Sequence, residues 1–131
     1  MNNVLLLLGR ILLSVLFIIA GFGKFAMASQ MAGMLGKMGV PAPELMVYLM
    51  AICEVIGGVA VIIGFQTRII GILLAVWCIA TGLAAHAGDA IELMKNIGLA
   101  GGFLTLAATA PRAYAFYGNW PEPKPAKTLQ A

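Results

Sequence analysis

Four apolar runs dominate the chain, at about residues 4–23, 44–65, 69–85 and 96–110, separated by short stretches where glycine, proline and charged residues collect. Crossing the hydrocarbon core of a bilayer takes roughly 20 apolar residues in helical form. Each run therefore predicts a membrane-crossing helix, and the chain an all-α four-helix bundle. Between the first and second runs the pattern changes. Met27, Met31, Met34, Leu35 and Met38 follow the i, i+4, i+7, i+8, i+11 rhythm of one helical face. That stretch is too short to span and is interrupted by Gly33, Gly36 and Gly39. It predicts a short Met-rich helix lying in the interface or dipping back into it, ended by Pro41 and Pro43.

Residues 66–68, with Arg68 as a structural residue, leave room only for a tight antiparallel hairpin between the second and third spans. Residues 86–95 read as the longest polar loop, carrying His86, Asp89, Glu92 and Lys95. Beyond Pro111, the residues Tyr114, Phe116, Tyr117 and Trp120 predict an aromatic interface segment, followed by an end expected to be disordered. The expected organisation is thus a transmembrane domain over 1–113 and an interface segment with tail over 114–131.

Composition agrees with this pattern. The chain is 62% hydrophobic and 10% charged, against about a quarter charged in soluble proteins, so it reads as a membrane protein with no room for a separate soluble domain. The first apolar run lacks an A-x-A-type cleavage site and reads as a retained span. The formal charge is +3, yet the basic residues are dispersed singly, which excludes nucleic acid as a partner class. Two cysteines without C-x-x-C spacing make neither a zinc site nor a disulfide framework. A single histidine makes no bis-histidine haem site, and no flavin or nucleotide motif is present.

The chemistry centres on Glu54, ten residues into the second run. An unpaired carboxylate at that depth costs about 2.5 kcal/mol or more, so it must be protonated, solvated by a cavity, or paired with a cation. Arg10 is the candidate cation. It sits about 10 Å from the N-terminal surface, with Glu54 about 16 to 18 Å from the same surface on an antiparallel span. Two uses of Arg10 remain open: snorkelling to that surface, or pairing with Glu54 in the interior. Lys24 marks the far interface. Gly57 and Gly58, one turn beyond Glu54, admit a neighbouring helix or a flat ligand, and Gly98 with Gly102 forms a G-x-x-x-G for close packing. His86 is either a helix-end cap or a catalytic candidate beside Glu54.

Cys53 and Cys78 reach a common depth of about 15 to 20 Å, as a dithiol or, more ordinarily for free cysteine, as small buried hydrophobes. Met27, Met31, Met34 and Met38 have the soft thioethers that select Cu(I), although packing is methionine's commoner use. Lysine and arginine counts set Arg10, Arg68, Arg112, Lys124 and Lys127 on one side and Lys24, Lys37 and Lys95 on the other. By the positive-inside rule both termini are then cytoplasmic.

The run GRILLSVLFIIAGFGKF, then EVIGGVAVIIGFQTRIIGILLA, then a span-ending histidine and KNIGLAGG before a last apolar run, resembles the DoxX family of small four-helix bacterial membrane proteins. The resemblance extends to about Pro111. Its pattern falls on Arg10, Lys24, Glu54, Gly57, Gly58, Arg68, Lys95 and Asn96. It implies a bacterial inner-membrane location and a link to quinone-coupled sulfur oxidation, terminal oxidase accessory subunits or oxidative-stress complexes. The expectation is an accessory redox subunit binding a quinone or other amphipathic molecule near Arg10 and Glu54, with Gly57, Gly58, Lys24 and Asn96 around it. Its partner would be a redox protein or a second copy, met through residues 86–95 or the Met-rich segment. The residues also admit a non-enzymatic scaffold or a small proton or substrate transporter. With no evident means of holding electrons, autonomous catalysis is not expected.

Overall fold

A computed structural model describes residues 3–109 as five α-helices without strands: α1 Asn3–Ala26, α2 Ala28–Lys37, α3 Pro43–Ile63, α4 Thr67–Ala85 and α5 Ala90–Thr109. The aromatic segment and tail expected over 114–131, and the charges of Arg112, Lys124 and Lys127, lie outside the described residues.

Small residues at helical spacing decide how the helices meet. The buried face of α1 is Arg10, Ser14, Phe17 and Gly21, and α3 turns Val47, Ala51, Glu54, Gly58 and Val61 inward. A methyl group added at Gly21 would lie 2.9 Å from the Ala51 carbonyl oxygen, and one at Gly58 3.2 Å from that of Ser14. α4 presents Gly71, Ala75, Cys78 and Gly82 to Ala100, Phe103 and Ala107 of α5. A methyl at Gly71 would stand 2.9 Å from the Phe103 carbonyl oxygen. Between helices in lipid there is little hydrophobic drive, so backbones that approach this closely supply the association energy through packing. The two tight pairs, α1 with α3 and α4 with α5, join through a core that includes Val61, Leu74 and Cys78. Phe17 and Phe103 meet there edge to face at 5.1 Å.

Backbone chemistry sets the turns. At the end of α3, Gly64 adopts φ 76°; the Phe65 N–H donates to Ala60 O at 2.9 Å and the Gly64 N–H to Val61 O at 3.2 Å. This is a Schellman closure, which needs a residue tolerant of the left-handed region. Gln66, also left-handed, completes the hairpin, and Arg68 sits half-buried in the first turn of α4. α2 ends the same way: Gly39 has φ 81°, and the Val40 N–H reaches Leu35 O at 3.1 Å. The chain then turns back into α3, so α2 packs beside it through Ala28, Ala32 and Val47.

Among the described residues three helices, α1, α3 and α4, are long and apolar enough to cross a membrane. α5 has 20 residues but carries Glu92, Lys95 and Asn96 in its first turns. It begins at Ala90, six residues earlier than its apolar run, because Asp89 caps it. The Asp89 Oδ1 accepts the N–H groups of Ile91 at 3.1 Å and Glu92 at 3.2 Å. The ten-residue loop expected over 86–95 shrinks to residues 86–89. The G-x-x-x-G expectation also divides. Gly102 abuts Leu13 of α1, whereas Gly98 faces open space.

Gly71→Ile should therefore destabilise the bundle by about 1–3 kcal/mol or more, because a backbone carbonyl cannot rotate out of the way. Gly98→Ala should be neutral or raise stability by about 0.5–1 kcal/mol through helix propensity. Reversible unfolding in mixed micelles measures both, and equal destabilisation by the two changes would contradict this α4–α5 interface.

Candidate functional site

Five inward positions of α1 continue the 10, 14, 17, 21 rhythm to Lys24, in the last turn of the helix. The close approach at Gly21 brings that turn against the middle of α3. Lys24 Nζ lies 2.6 Å from Glu54 Oε2, with side chains 15% and 6% exposed. The Trp77 indole N–H of α4 donates to the other carboxylate oxygen, Oε1, at 2.9 Å. Glu54 is thus paired and hydrogen-bonded through both oxygens, which offsets its desolvation where one contact alone would not.

Beside this triad opens a cavity of about 330 Å³, at the lower end of the volumes that hold small molecules. The C-terminal ends of α1 and α4 and the N-terminal ends of α3 and α5 meet at one end of the bundle, and α2 closes one side. Lys24, Glu54, Trp77 and Thr81 form the polar part; Met31, Met34, Leu35 and Met38 of α2 and Met50 of α3 form a thioether-rich wall; His86, Glu92, Lys95 and Asn96 come from the ends of α4 and α5. Lys95 Nζ is 2.6 Å from Glu92 Oε1. The two ammonium groups of the lining each face a carboxylate, so the lining is close to electroneutral. The Thr81 hydroxyl donates to Trp77 O at 2.8 Å, and the Asn96 amide to Glu92 O at 2.9 Å.

Glu54, Lys24, His86 and Asn96 come together in this cavity. Arg10 does not join them. It is fully buried, but the contacts of Gly21 with Ala51 and Val55, and of Gly58 with Ser14 and Ile18, put Glu54 level with the part of α1 about 12–18 Å beyond Arg10. The depth count behind an Arg10–Glu54 pair takes the two helices as flush; instead α1 begins well beyond the end of α3, which comes level with Arg10. Gly57 and Gly58 do not wall the cavity either. Added methyl groups there would meet Leu74 at 3.1 Å and Ile18 at 2.8 Å, so both glycines serve helix packing.

Cys53 is exposed and Cys78 is buried at the α4–α5 face, and both are free thiols. Met27, the residue before α2, stays out of the cavity, while Met50 joins it. Among the described residues no cluster of three or more His, Cys, Asp or Glu gathers to hold a metal. Trp77 escaped the sequence reading, although an indole N–H in mid-span needs an acceptor.

Lys24 and Glu54 should couple in a double-mutant cycle. Glu54→Leu alone strands a buried ammonium and should cost about 3–5 kcal/mol, and Glu54→Leu with Lys24→Met should recover part of that loss. Arg10→Met combined with Glu54→Leu should be additive. Unfolding of detergent-solubilised protein reads both cycles, and the opposite outcome would restore the arginine pairing.

Residues 5–87 match the family model DoxX. Over 120 residues the chain is 35% identical to the inner membrane protein YqjF of Escherichia coli (strain K12), with 88% of this chain and 91% of that protein covered. It is 33% identical to the inner membrane protein YphA of the same strain, covering 84% and 86%. The putative oxidoreductase CatD of Bacillus subtilis (strain 168) is 38% identical over 69 residues, covering 53% of this chain and 50% of that protein. No solved structure matches the chain. The family match runs from α1 to the end of α4 and so includes Lys24, Glu54 and Trp77; the chain belongs to the DoxX family.

Proposed function

We propose that the chain is an inner-membrane protein whose cavity binds a quinone-type or other amphipathic small molecule, acting as the membrane subunit of a redox complex. The observation that carries this reading is a cavity of about 330 Å³ with the largely buried Lys24, Glu54 and Trp77 triad at its polar part and an apolar, thioether-rich wall from α2 and α3. A quinone is flat and apolar with carbonyl acceptors. Lys24 has three N–H protons and gives one to Glu54, leaving donors for a carbonyl, and the His86 imidazole and the Asn96 amide line the same space. Reduction of a quinone to a quinol takes two electrons and two protons. Glu54 and His86 are the groups of the lining suited to pass protons, and the electrons enter from a partner. The name of CatD, a putative oxidoreductase, agrees with redox work in the family.

In this reading α5 crosses the bilayer as the fourth span, held along α4 at Gly71 and Gly82. Both termini are cytoplasmic by charge bias, and α2 lies at the outer interface. The redox partner or second copy meets the outer face at α2 and at residues 86–89.

Protein purified in mild detergent should yield an isoprenoid quinone on organic extraction and mass spectrometry. Ala20→Phe, which fills the cavity from α1, should lower the yield while the bundle stays folded. Lipid alone in the extract would return the site to a scaffold or transport role. If the isolated chain turns over quinone with an added donor at about 1 per second or faster, the subunit reading gives way to an enzyme.

A further inference from the structure

Methionines gather around the cavity. Four of the chain's eight methionines, Met31, Met34, Met38 and Met50, line this one space. They come from separate elements: three from one face of α2 and its end, the fourth from α3. His86, at the end of α4, faces the same space. The α2–α3 contact is made by Ala28, Ala32 and Val47, with Met31 and Leu35 packed against them, while Met34 and Met38 stay 41% and 51% exposed. A methionine retained for packing adapts to gaps inside a core; Met34 and Met38 instead stand exposed beside the cavity.

We propose that the thioethers of Met31, Met34, Met38 and Met50, together with the His86 imidazole, bind a soft monovalent cation, Cu(I) or its redox-inert counterpart Ag(I). Thioether sulfur is a soft, neutral donor that prefers such ions to Mg²⁺, Ca²⁺ or Na⁺, and imidazole adds a compatible nitrogen. Neither donor type must lose a proton to a neighbour to bind, apart from His86 being neutral. The electroneutral lining, in which Lys24 faces Glu54 and Lys95 faces Glu92, presents no net positive charge to repel the ion. Met27, the residue before α2, remains outside. The site thus differs from the set that spacing along the segment marks out: it gains Met50 and His86 and loses Met27. It occupies the thioether wall rather than the ion-pair end; it shares the cavity and His86 with the quinone reading, but its test needs no quinone.

The test uses the full chain in detergent, in a Cys53→Ser background that removes the exposed thiol as a competing soft ligand. Methionine is labelled with ¹³C at the methyl group, and Ag(I) is titrated while bound silver is counted by mass spectrometry. One silver per chain should bind. The methyl signals of Met31, Met34, Met38 and Met50 should shift, and those of Met27, Met46 and Met94 should stay in place. Leucine is close to methionine in volume, so Met34→Leu with Met38→Leu should preserve the fold and weaken silver binding by about tenfold or more. Shifts spread evenly over all methionines, no shift at saturating silver, or unchanged affinity in the double variant would overturn the proposal. If the variant fails to fold, the methyl shifts of the parent protein still decide the matter.

Discussion

An ion pair buried between apolar helices is expensive to form unless its geometry is complete, and the rest of the bundle is arranged so that this one is. Lys24 and Glu54 meet only because α1 and α3 approach at Gly21 and Gly58. A slip of one helical turn, about 5.4 Å, would part the two charges and leave each stranded in low dielectric. The glycines supply closeness, and the charges penalise other registers. A buried pair of this kind contributes less to net stability than to the choice among packings, here the offset that brings the end of α3 level with Arg10.

The same offset creates the cavity. With the ends of α1 and α3 staggered, the last turn of α1 stands beside the middle of α3, and one further residue, Met27, separates it from α2. α2 then ends in a left-handed glycine and returns the chain to α3. A ten-residue helix too short to span becomes the wall of a space whose far side is built by α4 and α5. Asp89, by starting α5 at Ala90, brings Glu92, Lys95 and Asn96 onto a helix instead of a loop. Loop residues would have carried these groups without fixing them.

Helix content and the need of Glu54 for a partner were legible in the sequence because hydrophobic runs of span length and a carboxylate within one of them are local signals. Its partner was less legible. Arg10 and Lys24 share a helical face; choosing between them required the relative shift of two helices, which no local pattern encodes. Gly57 and Gly58 were ambiguous for a related reason. A glycine pair reports that something comes close, and whether that is Leu74, Ile18 or a ligand depends on which neighbour stands opposite. The Asp89 cap was readable, since an aspartate followed by Ala, Ile and Glu is an ordinary helix start, but the polar character of residues 86–95 outweighed it.

The triad also ties the two tight helix pairs together. Lys24 and Glu54 belong to the α1–α3 pair, whereas Trp77 belongs to the α4–α5 pair. α3 and α4 share a hairpin but a thinner contact than either tight pair, so at the cavity the indole hydrogen bond to Glu54 is a polar link between the halves. At the cavity the fit of one helix pair against the other therefore runs through a single carboxylate, whose two oxygens answer to different halves of the bundle.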